Sequence, residues 1–141
     1  MVRKYKSKVS YGLLIAISLI MFGPLMFKLS DYTLNTQRIF GVLLLLITFA
    51  WILHMFLTTL YTVDNTKLRI MSGFFSYKPI EISEIKRITK TNNIISSPAA
   101  SFDRIEIHYG KFKSIIISPK DKLNFCKDLN ELNPEIKIVL N

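Results

Sequence analysis

The sequence predicts a membrane-anchored α+β protein, in which two N-terminal transmembrane helices precede one small antiparallel β domain closed by a C-terminal helix. Three observations support this fold class: an uncharged run from Ile39 to Leu60, a second from Tyr11 to Phe27, and short alternating segments after Leu60. The predicted domains are therefore a basic flank and helical hairpin over residues 1–60, and a cytoplasmic β domain over residues 61–141.

The two uncharged runs have lengths typical of membrane spans. The run from Ile39 to Leu60 would form a helix of roughly 33 Å, which covers a hydrocarbon core of about 30 Å. The run from Tyr11 to Phe27 lies at the short end of the range for a span. Basic residues before it also suggest a signal peptide, but no small-residue cleavage site follows and the run exceeds a normal signal core. We therefore expect a retained helix.

The distribution of basic residues predicts the orientation. Four of them (Arg3, Lys4, Lys6 and Lys8) lie within the first ten positions, and only two lie in the loop between the spans, residues 28–38. Because positively charged flanks remain in the cytoplasm, both termini are expected there. The predicted location is the cytoplasmic membrane, as a multi-pass protein.

Composition argues against several classes of function. The net charge of +9 falls to +4 after Leu60, where acidic and basic residues alternate, so no nucleic-acid surface is expected. A single cysteine, Cys126, and two separated histidines form no metal-binding set. There is no glycine-rich phosphate loop and no nucleophile–base arrangement, so neither an enzyme nor a cofactor is predicted.

One ionisable side chain, His54, lies within the second span. An ionisable residue in a membrane suggests a proton or ligand site. The simpler interpretation, which we favour, is a neutral imidazole that bonds Ser18 or water across the helical hairpin.

The β domain is predicted from period-two alternation and from turn residues. A helix should follow, with Ser118 as its N-cap, Pro119 at its first position and Cys126 on its apolar face, ending at Asn133. The expected extended segments are residues 61–63, 67–72, 77–82, 85–90, 105–109 and 113–117.

Several sequence segments carry a family resemblance. After two apolar spans come YTVDNTKLRIMSG, KPIEISEIKRI, SSPAASFDRIEIHYGK and ISPKDK. With them, the chain resembles the small bacterial PH-domain membrane proteins called YyaB-like. The resemblance implies a PH-like half-barrel capped by a helix and a membrane location, but no catalytic activity and no established ligand. Ala100 and Lys78 depart from the family's pattern without affecting the expected fold.

We expect a membrane-anchored interaction or regulatory module that binds a protein partner at the inner membrane surface. Anionic-lipid binding and self-protection against a bacteriocin are the alternatives, and the sequence leaves self-association open. The candidate partner or lipid surface consists of Lys111, Lys113, Lys120 and Lys122.

A second candidate site is the serine-rich loop before the strand at residues 105–109. By strand parity Asp103 should face the core and accept hydrogen bonds from this loop, whereas Arg104 should lie outside beside Glu106. The segment is interpreted as a structural staple in preference to a ligand site. Its residues are Ser96, Ser97, Pro98, Asp103 and Arg104.

Overall fold

The computed structural model describes residues 2–27, 35–93 and 101–140. The chain folds as two compact units. One consists of Met1–Val9 with Met55–Asn141, and the other is Ser10–His54. The chain therefore enters the larger unit at its N-terminus, leaves it for the helices, and returns.

The smaller unit is helical. It contains α1 (Tyr11–Phe27) and most of α2 (Thr36–Thr58), which contact each other through the rings of Phe22 and Phe49, 5.4 Å apart and edge to face. Among the described residues, α2 alone is both long and apolar enough to cross a membrane, with a mean hydropathy of 2.4 over its most apolar stretch. Helix α1 is apolar but shorter.

The second predicted span ends earlier than expected. Helix α2 stops at Thr58, and Leu60 already belongs to a strand. The Thr59 hydroxyl donates to the Met55 carbonyl at 2.7 Å, and this bond occupies one carbonyl left open in the last turn. The chain thus passes from helix to sheet within two residues.

A five-stranded antiparallel sheet forms the first half of the larger unit. Its strand order is β1, β2, β3 and β4, and β5 also pairs with β3. Gly73, with a φ of 59°, makes the tight turn between β3 and β4 that an L-residue would resist. The strands are β1 (Arg3–Lys6), β2 (Leu60–Val63), β3 (Lys67–Ser72), β4 (Phe75–Ser76) and β5 (Ile80–Glu81).

A four-stranded sheet forms the second half. It is ordered β8, β7, β6 and β9, and is antiparallel except that β9 runs parallel to β6. A short 3₁₀ turn at Ile82–Glu84 joins the halves. An isolated bridge between Ser7 and Pro119 links the β1 side to the end of β8. The strands are β6 (Ile85–Thr91), β7 (Arg104–Tyr109), β8 (Lys113–Ile117) and β9 (Lys137–Val139).

The core is built from the inward positions of both sheets and one face of α3 (Lys122–Leu132). Strand β3 shows the expected alternation, since Leu68 and Ile70 are buried while Arg69 and Met71 are exposed. Phe125, Cys126 and Leu129 of α3 are also buried, as predicted together with the buried thiol, whereas Leu132, expected on the same face, is 42% exposed. The antiparallel sheets closed by a helix agree with the PH-like fold class.

The start of α3 differs from the prediction. Asp121, not Ser118, is the N-cap, and its carboxylate accepts from the Asn124 amide at 3.1 Å. Ser118 is fully buried and bonds the N-terminal segment instead, while Pro119 bridges to Ser7. At the other end, the amide group of Asn133 donates to the Ile82 carbonyl at 3.0 Å, which ties the helix end to the 3₁₀ turn.

Three strands, β1, β4 and β9, were absent from the sequence-based prediction. Strand β4 precedes the segment expected at residues 77–82, of which only Ile80–Glu81 is extended as a strand. Strand β1 lies in the basic flank, where the charges suggested only a membrane-proximal tail. Strand β9 lies after the predicted helix stop. Strand β1 lengthens the sheet beside β2, with Tyr5 opposite Tyr61.

Candidate functional site

A buried polar cluster lies where the chain leaves the larger unit for the helices. Tyr61 is fully buried, and its hydroxyl donates to Ser7 Oγ at 3.1 Å and accepts from the Ser118 amide at 3.2 Å. The Ser7 and Ser118 hydroxyls are 3.0 Å apart. Burial raises the pKa of the Tyr61 hydroxyl, so it keeps its proton and its donor role. This cluster holds the end of β1 on the domain.

The strand register places both exits of the chain side by side. The Ser7 amide donates to the Thr59 carbonyl at 3.0 Å, one residue beyond the pairing of Lys6 with Leu60. Residues 7 and 59 therefore mark one end of the larger unit, which we call the exit end. The turn between β2 and β3 lies at the other end of these strands.

A three-residue ionic cluster belongs to the same unit. The Asp103 carboxylate accepts from Lys8 at 2.9 Å and from Lys122. These ammonium groups, Lys122 above all, hold the pKa of Asp103 below its usual value, against a smaller opposing effect of burial. Asp103 thus ties the basic flank to the first turn of α3.

The expectations for Asp103 and Arg104 were wrong in their orientation. Asp103 precedes β7 rather than lying within it, and its side chain is 31% exposed and paired with lysines, so it does not face the core. Arg104 is only 6% exposed, and its guanidinium donates to the backbone carbonyls of Ser101 and Asn93. Arg104 is the first residue of β7 and shares the parity of Glu106, but it is buried because its guanidinium turns back to bond these two carbonyls. Ser96, Ser97 and Pro98 lie outside the described residues.

The four lysines of the candidate partner or lipid surface do not form one surface. Lys111 and Lys113 lie at the β7–β8 hairpin, whereas Lys120 and Lys122 lie past the other end of β8. The five residues of β8 separate the two pairs by more than about 13 Å along the strand. Lys122 is also engaged by Asp103.

The lysines beyond β8 lie instead beside the N-terminal strand. The Lys120 amide donates to the Lys6 carbonyl at 2.9 Å, and Lys4, Lys6 and Lys120 all have exposed side chains. They line an open groove of about 720 Å³, together with Tyr5, Asp121, Lys122 and Leu123. The alternation in residues 3–8 was the signal that could have revealed this strand, because its odd-numbered side chains turn inward and its even-numbered ones are exposed.

The inward side chains of β1 bind α3. Both Arg3 and Tyr5 bond the carboxylate of Asp128, which is only 4% exposed. The Tyr5 ring also meets Phe125 edge to face at 5.3 Å. A buried carboxylate requires such donors, and this pairing was not predicted from the sequence.

The predicted intramembrane polar pair lies within the helical unit. The Ser18 hydroxyl donates to the Leu14 carbonyl of its own helix at 2.8 Å, so its one proton is not available to an imidazole. The favoured interpretation of His54, a neutral imidazole that bonds Ser18 or water, stays a prediction. Among the residues that the structure describes, no group of three or more metal-ligating side chains occurs.

The hairpin between β7 and β8 carries the most exposed aromatic ring among the described residues. Phe112 is 99% exposed, and it is flanked by exposed Lys111 and Lys113. Gly110, with a φ of 60°, makes the turn that presents it. By the pairing of Tyr109 with Lys113 and of Ile105 with Ile117, this tip lies at the opposite end of β8 from Ser118.

Comparison with known families and proteins gives one match. Residues 59–133 match the family model of the bacterial PH domain, which covers just over half of the chain. Searches of the curated proteins and of the solved structures found no match. Strand β1 and strand β9 lie outside the matched region.

Proposed function

Because the chain belongs to the bacterial PH-domain family, whose members are in general binding modules without catalysis, we propose a membrane-anchored interaction module. In this proposal it resembles the YyaB-like proteins, and it binds a protein partner at the cytoplasmic surface of the membrane. The anchor and the binding surface have separate support.

The anchor rests on α2 and on the pairing of the two chain exits. Helix α2 is long enough to cross a bilayer. Because Ser7 and Thr59 are hydrogen-bonded, they lie on one side of any membrane that the chain crosses. The number of crossings between them must then be even. If α2 crosses, a second crossing is needed, and α1, of 17 residues and about 26 Å, is the apolar helix between them.

The basic residues support a cytoplasmic position for the larger unit. Arg3 and Lys8 are held by carboxylates within the domain, but Lys4 and Lys6 keep exposed ammonium groups a few residues before α1. Such a flank is typical of the cytoplasmic side of a span. We propose that both termini are cytoplasmic.

Phe112 is the observation that carries the binding proposal. An almost fully exposed phenylalanine at a hairpin tip contributes nothing to the core, and aromatic side chains dominate the binding energy of protein interfaces. The hairpin tip lies at the opposite end of the larger unit from the exit end. A soluble protein has access to it there. The division of the four lysines between two ends of β8 weakens the alternative of a headgroup site built from them.

Photocrosslinking in cells tests this surface. A photoreactive amino acid replaces Phe112 in the full chain, and the matched control replaces Leu123, which is 74% exposed on α3. We expect one discrete protein adduct from position 112 that position 123 does not give. The double variant Lys111→Glu and Lys113→Glu should suppress it at an unchanged protein level. An adduct of twice the chain mass would identify a second copy as the partner.

Binding of the purified components completes the test. The captured protein should bind the purified full chain, and Phe112→Asp should weaken that binding by about tenfold or more, as loss of an aromatic anchor does. Equal adducts at both positions, lipid adducts alone, or unchanged binding by Phe112→Asp would refute the proposal.

A further inference from the structure

The β3–β4 hairpin exposes a second group of apolar side chains. Phe74, in the turn, is 81% exposed, and Phe75, the first residue of β4, is 54% exposed. The core does not require these aromatic rings. Neighbouring exposed apolar residues of this kind mark a contact with a protein or a membrane.

The strand register shows where this hairpin lies. Met71 pairs with Leu60, the first residue of β2, and the Ser72 hydroxyl lies 3.0 Å from that of Thr59. Strand β3 runs antiparallel to β2, so its continuation into Phe74 proceeds past the start of β2. The hairpin tip therefore lies at the exit end, beside the last turn of α2.

The distance of the hairpin tip from the end of α2 indicates whether water or the bilayer surrounds it. Ser72 lies one strand spacing, about 4.8 Å, from Thr59. Phe74 belongs to the two-residue turn between the paired residues Ser72 and Phe75, so it lies only about one residue rise, about 3.4 Å, beyond Ser72. Helix α2 is 23 residues or about 34 Å long, so it exceeds a hydrocarbon core of about 30 Å only slightly. The headgroup region adds about 5–7 Å on each side, which is the depth at which the tip would lie.

We infer that the β3–β4 hairpin is a second membrane contact, in which Phe74 and Phe75 enter the headgroup region of the bilayer that α2 crosses. This inference rests on the membrane anchor of the proposed function. Apolar rings leave water where the headgroup region meets the acyl chains, and long side chains such as Lys78 can extend toward the headgroups.

Tryptophan fluorescence of the full chain in phospholipid vesicles tests this contact. The chain has one tryptophan, Trp51, which Trp51→Phe removes. In that background, Phe74→Trp and Phe75→Trp report on the β3–β4 hairpin, and Phe112→Trp is the matched control at the other hairpin. The quencher is phospholipid brominated near the headgroup end of its acyl chains.

We expect blue-shifted emission and strong quenching from Phe74→Trp and Phe75→Trp, with solvent-like emission and little quenching from Phe112→Trp. Quenching of Phe74→Trp no greater than that of Phe112→Trp overturns the inference. Trp51 fluorescence of the unmodified protein distinguishes a wrong hairpin contact from a wrong membrane anchor. Trp51 should be quenched by bromines deeper in the acyl chains, and a Trp51 that is not quenched would overturn the membrane anchor itself.

Discussion

The guanidinium of Arg104 donates a hydrogen bond of 3.0 Å to the carbonyl oxygen of Asn93, eleven residues earlier in the chain. A second bond, from Nε, reaches the Ser101 carbonyl. The two acceptors lie on either side of residues 94–100, so one buried cation ties the end of β6 to the start of β7.

Arg104→Ala should therefore lower the free energy of unfolding by about 2 kcal/mol, because it removes charge-assisted bonds to two carbonyls in a buried setting. For a domain of this size such a loss lowers the melting temperature by roughly 8–16 °C. Thermal unfolding of the full chain in detergent measures it. Arg69→Ala is the control, since its side chain is 59% exposed and 3.9 Å from Asp64, and it should change stability by less than about 0.5 kcal/mol. Equal effects of the two variants would contradict the structural role of Arg104.

The ion pairs of Asp103 predict that the stability of the fold depends on pH. Lys122 and Lys8 hold its pKa in the folded protein below the ordinary value of 3.8. The ion pairs therefore stabilise the fold fully above that value, and the contribution is lost as the pH falls through the lower, folded-state pKa. Because the group is partly exposed, we expect about 1 kcal/mol at neutral pH.

The Asp103→Asn variant isolates this contribution. Its melting temperature should be lower than that of the unmodified protein at pH 7, and the two should converge as the solution is acidified below the ordinary aspartate pKa. Added salt should narrow the difference as well. A difference in melting temperature that stays unchanged at acidic pH would attribute the effect to hydrogen-bond geometry and not to charge.

Burial of Cys126 predicts a protected thiol. The side chain is 3% exposed, and burial raises its pKa to about 11. At pH 8 only about one thiol in a thousand would be ionised, and the thiolate is the reactive form. A thiol reagent should label the folded protein slowly and the urea-unfolded protein at the rate of a free cysteine. Fast labelling without denaturant would refute the buried position. Leu123→Cys, on an exposed position of the same helix, provides the rapid control.

The strands with apolar alternation were predictable from the sequence, whereas the two- and three-residue strands β4 and β9, and β1, whose inward arginine pairs with a distant carboxylate, were not. Alternating apolar residues indicate a strand with one buried face, as at Leu68, Ile70, Ile105 and Ile107. In strand β1 the inward basic residue, Arg3, forms an ion pair with Asp128, which is 125 residues later in the chain. A local sequence pattern cannot show that such a partner exists. The exposure of Phe112 could not be predicted either, because an isolated phenylalanine in a strand-rich sequence usually indicates a core position.

Accessibility of introduced cysteines tests the proposed orientation of the anchor. In a Cys126→Ser background, Asn35→Cys lies just before α2 and Asn65→Cys lies in the β2–β3 turn, and both positions are exposed. The pairing of Ser7 with Thr59 requires an even number of crossings, and the basic flank favours the cytoplasm for both exits. A membrane-impermeant thiol reagent should therefore label position 35 in intact cells and position 65 only after lysis. Labelling of position 65 in intact cells would place the domain outside. Protection of both positions until lysis would show that the helices do not cross, and the pairing of the two exits would then reflect folding alone.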